Sequence, residues 1–475
     1  LSAILAIDQG TSGTKAIVVD AEEGIVSLAE ETIRPTYLPG GGVEQDPHEL
    51  LGSVLGTGSR AVREAGRPID CVALANQGET ILAWDPATGA PLSPALVWQD
   101  RRAESVCAEL ADRAGDIARR TGLVLDPYFS APKMAWLRRH LTREGVVTTT
   151  DTWLVHHLTG EFVTDAATAS RSLVLDLTSA TWDDELLGLF GLGGERLPRI
   201  VASDEIAGTT RAFGPAVPVA GLVVDQQAAL VAEGCLEPGS AKCTYGTGAF
   251  LLANTGRNPV RSGAGLTTSV AWQRHGHTTY CVDGQVYTVA SAVRWLEDLG
   301  LVRSATELDS LAATDTERVL CVPAFAGLAA PWWAPDAAAS FTGMTLATRR
   351  EHLVGAVLQG IAAQVAELCT LVAGDIGTPL RRLRADGGLT RSAALMQAQA
   401  DIAQIPVDVY PHDHATPLGA AALARCALDP ALSLAEAVGD WQPTTVYEPR
   451  WPRERAEEFR TAWAAAAEAA KGDPA

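Results

Sequence analysis

The chain opens with short apolar runs that alternate with polar turns, the habit of strands rather than helices. Residues 3–8, 15–20 and 24–32 read as strands, and the amphipathic stretch 46–65 reads as a helix. Further strands are predicted at 70–75, 80–84 and 95–98, and further helices at 100–120, 132–143 and 151–159. Trp84-Asp85-Pro86-Ala-Thr-Gly89 has the chemistry of a tight turn, with proline to set φ and glycine to accept φ > 0. An apolar strand over 219–225 ends at Asp225, and a helix over 226–234 follows it.

The second half repeats this logic. Hairpin strands are predicted over 241–254, then strands at 266–271 and 280–282, a helix at 288–299 and a strand at 319–322. Leu353, Val357, Ile361, Val365 and Leu368 stand at helical spacing and predict a long helix over 350–373. A strand at 382–385 runs into Asp386-Gly387-Gly388, ahead of helices at 391–403, 417–427 and 453–470. Gly234, Pro238 and Gly239 mark the change between halves, giving domains 1–234 and 235–475. Without a long linker or low-complexity segment, the halves should pack as rigid lobes.

Each half begins with the same polar turn between apolar strands. The first is Asp8-Gln9-Gly10-Thr11-Ser12-Gly13-Thr14-Lys15, and the second is Lys242-Cys-Thr244-Tyr245-Gly246-Thr247-Gly248. Such turns present backbone N–H groups and hydroxyls to phosphate oxygens, and an acid at a strand end can reach a metal-bound water. Neither turn is a Walker loop or a G-x-G-x-x-G helix start. One glycine-rich hairpin alone is ordinary turn chemistry. Two, each heading its own half, suggest duplicated domains closing on one nucleotide.

Bulk properties narrow the setting. A chain of 475 residues exceeds one ordinary core, so two domains are expected. The longest apolar stretches read as too short for a membrane span, and no basic-plus-apolar leader precedes them. Leu1 in place of methionine suggests the trimming of a residue or two. The eight cysteines are scattered without a C-x-x-C pair and read as small buried hydrophobes in a reducing cytoplasm, with no zinc. A net charge of −20 disfavours nucleic acid and anionic membranes as partners.

Longer motifs point to a family. Tyr128-Phe-Ser130-Ala-Pro-Lys133-Met-Ala-Trp136-Leu-Arg-Arg-His140 resembles one signature of the FGGY carbohydrate kinases, and Ala339 to Gln359 resembles the second. Val97-Trp98-Gln99-Asp100, Thr121 to Phe129 and Asp225-Gln226-Gln227 resemble the glycerol-kinase branch of that family. The resemblance runs from about residue 3 to about residue 450. It implies a two-lobed α/β fold of the actin/hexokinase (ribonuclease H-like) type, with ATP and a small polyol or sugar meeting in the cleft. A homo-oligomer is compatible with it.

The resemblance also assigns roles. Asp225 would be the catalytic base, and Asp8 with Asp225 would hold Mg²⁺. Without it, Asp225 reads equally well as the N-cap of the following helix. Thr11, Ser12 and Lys15 would meet the phosphates from one side, Gly246, Thr247 and Gly248 from the other. Gly387 and Gly388 would let backbone approach the adenosine. Glu79, Trp98, Tyr128, Asp225, Gln226 and Phe250 would form the substrate shelf, polar groups on the hydroxyls and aromatics along the carbons.

Some positions depart from the pattern. Where the family carries an arginine that donates to glycerol, this chain has Gly78. Gly78 is expected to leave a gap, favouring a bulkier substrate such as erythritol or a ketopentose; alternatively, another arginine reaches in from elsewhere. Ala290, Arg294 and the segment 390–393 differ from the usual adenine surroundings. Residues 211–218 are shorter than the loop through which some relatives bind fructose 1,6-bisphosphate, so that inhibition is not expected.

Overall fold

A computed structural model describes residues 3–312, 315, 316 and 318–471 of the chain. Its two large sheets are built on one plan. The first contains β1 (Ile4–Gly10), β2 (Gly13–Asp20), β3 (Gly24–Thr32), β4 (Cys71–Asn76), β5 (Gly208–Thr210) and β6 (Val217–Val224), in the order β5-β6-β4-β1-β2-β3. The second contains β7 (Ala241–Tyr245), β8 (Ala249–Gly256), β9 (Thr267–Arg274), β10 (His277–Val286), β11 (Leu383–Asp386), β12 (Val407–Val409) and β13 (Thr445–Tyr447). Their order is β9-β10-β8-β7-β11-β12-β13.

The correspondence is strand by strand. β1 pairs antiparallel with β2 and parallel with β4, as β7 does with β8 and β11. Beyond them β6 runs parallel to β4, as β12 does to β11. The parallel strands are apolar along their length because helices cover both faces, and β4 is buried at every residue. Ligand sites in such sheets lie beyond the carboxyl ends of the parallel strands. Here those ends carry Asp8, residues 76–79 and Asp225 in one lobe, and residues 245–248 and 386–388 in the other.

Four helices frame this arrangement. α1 (Pro47–Ala65) begins where the Asp46 carboxylate accepts the His48 N–H at 2.8 Å, and it covers one face of the first sheet. α2 (Asp225–Ala232) follows β6 directly. α3 (Arg350–Ile376) is long and apolar enough by composition to cross a membrane, contrary to expectation, but 72% of its apolar window is buried within the protein. α4 (Ala415–Leu428) belongs to the second half in sequence yet packs on the first sheet, sharing a core with Ile4, Ala73 and Val223. Its Gly419 lies so close to α2 that an added Cβ would stand 1.8 Å from the Ala228 carbonyl oxygen.

One expectation fails locally. The helix predicted over 100–120 is two short helices, Glu104–Glu109 and Ala114–Thr121, separated by a 3₁₀ turn. Each buries few side chains, mainly Val106 in one and Ile117 in the other, too sparse a stripe to hold one straight helix on the core. The strand expected at 80–84 is present as Ile81–Trp84, in a smaller five-stranded sheet beside the unforeseen strand Val146–Thr149.

Candidate active site

The first hairpin turns through Thr11 and Ser12, with Gly10 paired to Gly13. Buried amides fix its shape: Gln45 Nε2 donates to the Thr11 carbonyl at 2.8 Å, and Gln77 Nε2 donates to Gln45 Oε1 at 2.9 Å. Asn76 Nδ2 donates to Gln9 Oε1 at 2.8 Å, joining β4 to β1. Ser12 is exposed, and Lys15 is part-exposed with its Nζ 3.7 Å from Glu30. Lys15 also stands directly across the ladder from Asp8.

The second hairpin closes through Gly246, Thr247 and Gly248, where the Gly246 N–H donates to the Gly248 carbonyl at 2.9 Å. Its carbonyls accept N–H groups from Val289 and Ala290, which anchors the turn to the start of the next helix. An added Cβ on Gly387 would stand 2.5 Å from the Tyr245 carbonyl, whereas one on Gly388 would meet open space. Glycine at 387 is therefore required by the neighbouring strand. Only at 388 does the missing side chain leave backbone free to approach a ligand.

Asp225 is the first residue of α2, and Val224 holds the capping position without a side-chain cap. The N-cap reading is thus not what the geometry shows. Asp225 Oδ1 accepts the Gln226 N–H at 2.7 Å, and among the described residues the other oxygen has no partner. Burial, then the charge of Glu79, pushes the Asp225 carboxyl up to about 6, against the Gln226 N–H and Lys242. Burial and the Asp225 charge likewise push Asp8 up to about 7, with Lys15 opposing. Two buried carboxylates, one raised by the charge of the other, are a natural seat for a cation. Among the described residues no cluster of three or more His, Cys, Asp or Glu adds to them. That donor set fits Mg²⁺, which takes one or two carboxylates and fills its octahedron with water and substrate phosphate.

Beside Asp225 lies a cavity of about 20 Å³ lined by residues of both lobes, among them Glu79, Tyr128, Arg171, Gln226, Phe250 and Asp283. Glu79 is held at φ +58° in a γ-turn, closed by the Thr80 N–H on the Gly78 carbonyl at 2.7 Å. Such backbone costs roughly 1–3 kcal/mol, and here it aims a carboxylate into the cavity. Glu79 is ion-paired to Arg171, whose Nη1 also donates to Asp283 Oδ1 at 3.0 Å across the lobe boundary. Gln226 Oε1 accepts the Lys242 ammonium at 2.6 Å, so its amide N–H₂ remains a donor. Trp98 stands at the margin, edge-on to Tyr128 at 5.4 Å and to Phe250 at 6.2 Å between ring centroids.

The structure thus gathers Glu79, Tyr128, Asp225, Gln226 and Phe250 around one cavity, with Trp98 behind two of them. The gap expected beside Gly78 is absent. A Cβ there would stand 2.9 Å from Val224 Cγ2 and 4.0 Å from Arg171 Cδ, so neighbouring side chains already fill the space. Four residues escaped sequence reading: Arg171, Asp283, Lys133 and Lys242. Lys133 sits inside a recognised signature, and Lys242 opens the second glycine-rich turn. A cation in an otherwise apolar setting was the available signal. Lys133 Nζ donates to the carbonyls of Pro127, Tyr128 and Phe129 at 2.9, 2.5 and 2.7 Å, fastening the segment that carries Tyr128.

Comparison with known proteins matches this geometry to a lineage. The family model for the N-terminal domain of the FGGY carbohydrate kinases matches residues 3–232, and that for the C-terminal domain matches residues 241–428. The chain belongs to the FGGY family of carbohydrate kinases. Glycerol kinases of Alkalilimnicola ehrlichii and Thermus brockianus are 43% and 41% identical to this FGGY chain, each over 99% of it and over 99% and 98% of their own length. The crystal structure of Plasmodium falciparum glycerol kinase with ADP superposes with a TM-score of 0.92 at 32% identity, covering 98% of both chains. A xylulose kinase from Lactobacillus acidophilus shares the fold alone, at a TM-score of 0.89 and 21% identity. This FGGY member is accordingly a sugar or polyol kinase of glycerol-kinase type, with the actin-like two-lobed fold, and it uses ATP.

Proposed function

We propose that this enzyme transfers the γ-phosphoryl group of ATP to a hydroxyl of glycerol. Asp225 takes the proton from the attacking hydroxyl on its unpaired carboxylate oxygen, and ADP leaves. The observation that carries this reading is that oxygen, on a carboxylate lining a small cavity to which both lobes contribute residues. Phosphoryl transfer needs positioning and charge compensation more than covalent help from the protein. Asp8 and Asp225 would hold Mg²⁺, which when bound neutralises charge on the phosphates. Thr11, Ser12 and Lys15 on one side, with Gly246, Thr247 and Gly248 on the other, would hold the phosphates. Gly388, beside Gly387, would approach the adenosine.

The size of the cavity favours a three-carbon substrate. About 20 Å³ is little more than a water molecule requires, so substrate entry requires the lobes or side chains to give way. Each further hydroxymethylene raises that cost, and Gly78 provides no extra room. The domain division at 234/235 is supported by the two sheets and the limits of the two family models, although α4 crosses to the first lobe. Eight free cysteines support a reducing, cytoplasmic setting. A coupled ADP-release assay over glycerol, erythritol and xylulose tests the substrate: glycerol should give the highest kcat/KM, and a clear preference for a larger polyol would overturn the reading.

A further inference from the structure

We propose that Arg171 is itself a substrate-binding residue, donating hydrogen bonds from its guanidinium to a hydroxyl oxygen of the polyol. This rests on the polyol-kinase reading above. Its first support is placement. Arg171 follows the short helix Ala166–Ser170, its side chain is buried, and its Cδ passes 4.0 Å from where a side chain at 78 would begin. It therefore enters the cavity from a different element, along the edge that Gly78 leaves without a functional group.

Its second support is an accounting of donors and acceptors. A polyol hydroxyl both gives and takes hydrogen bonds, so its oxygen needs donors from the protein. The cavity lining is rich in acceptors, with carboxylates from Glu79, Asp225 and Asp283, and holds one cation, Arg171. Neither nearby lysine can serve. Lys133 spends its three N–H groups on carbonyls, and Lys242 donates to Gln226 and Thr244 from a fully buried position outside the lining. Arg171 has five N–H donors and uses one on Glu79 and one on Asp283. The remaining donors have no partner among the described residues and belong to a guanidinium that lines the cavity.

Its third support is rigidity. Glu79 and Asp283 grip the guanidinium from opposite lobes, and its Cζ lies 5.6 Å from the Tyr128 ring centroid and 5.5 Å from that of Phe129. A planar fork held this way loses little further entropy when it binds an oxygen.

The test compares kcat/KM of the wild-type enzyme and Arg171→Met on glycerol, propane-1,2-diol and propane-1,3-diol. A charge-assisted hydrogen bond contributes roughly 10- to 100-fold. Arg171→Met should lose about that factor on glycerol and much less on the diol that lacks the hydroxyl bound by Arg171. Equal losses on all three substrates would assign Arg171 a purely structural role and overturn the proposal. Should the variant not fold, a crystal structure of the wild-type enzyme with glycerol decides: an Arg171 nitrogen within hydrogen-bond distance of a glycerol oxygen supports the proposal, and none overturns it. If the wild-type enzyme phosphorylates none of the three, the polyol-kinase reading itself fails and the proposal falls with it, an outcome distinct from equal losses.

Discussion

Trp98 Nε1 donates to Thr11 Oγ1 at 2.8 Å, and Thr11 Oγ1 donates in turn to Gln77 Oε1 at 3.0 Å. One indole nitrogen thus joins the aromatic margin of the substrate cavity to the turn proposed to hold phosphate. Trp98→Phe keeps an aromatic ring against Tyr128 and Phe250 but removes that tie. A neutral hydrogen bond is worth roughly 0.5–1.5 kcal/mol, so KM should rise several-fold for glycerol and for ATP together. Steady-state kinetics with each substrate varied in turn will show it. A shift confined to glycerol would mean that the link carries no coupling.

Position 78 separates a filled site from an empty one. Because an added Cβ would stand 2.9 Å from Val224 Cγ2, Gly78→Ala should be overpacked and cost roughly 1–3 kcal/mol, lowering Tm. A void beside Gly78 would instead make alanine neutral or stabilising. Thermal unfolding of the variant decides between them.

Lys133 is buried, and burial pushes its ammonium down to about 7, against the nearby charges of Glu79, Asp100 and Asp126. Three carbonyl acceptors nevertheless call for all three N–H groups of the charged form. Lys133→Met should leave those carbonyls without donors, at a cost of roughly 3 kcal/mol or more, and loosen the segment carrying Tyr128. The expected result is a large fall in Tm with a raised KM for glycerol, measured by calorimetry and kinetics.

The architecture was legible in the sequence because its signals are local. The two glycine–threonine turns and the apolar runs beside them mark β1–β2 and β7–β8, and the spacing from Leu353 to Leu368 marks α3. Asp8 and Asp225 were readable as strand-end acids. What was not legible depends on the partner element. Arg171 is an ordinary surface-type residue until Glu79, from a turn in one lobe, and Asp283, from a strand in the other, surround it. The gap at Gly78 was inferred from one missing side chain, and Val224 in the neighbouring strand fills it. The crossing of α4 onto the first sheet likewise leaves no mark in its own sequence.

Asp165 caps the helix that leads to Arg171, its Oδ1 accepting the Ala167 and Thr168 N–H groups at 2.8 and 3.1 Å. Burial, then the charge of Asp151, raises its carboxyl from 3.8 to about 6. The fold therefore favours the protonated form. Its contribution to stability is complete below the unfolded value near 3.8 and is lost as pH rises through about 6. Asp165→Asn removes this titration, so its stability relative to the wild-type enzyme should improve as pH is raised from below 4 to above 6. Urea unfolding at both limits will measure the change; a pH-independent difference would contradict it.

The most direct measurement compares glycerol-dependent ADP release by the wild-type enzyme and Asp225→Asn, with ADP binding and Tm recorded alongside. A general base contributes roughly 10²–10⁴ in rate, so turnover should fall by that factor while nucleotide binding and folding persist. Wild-type turnover in a folded Asp225→Asn enzyme would contradict the account.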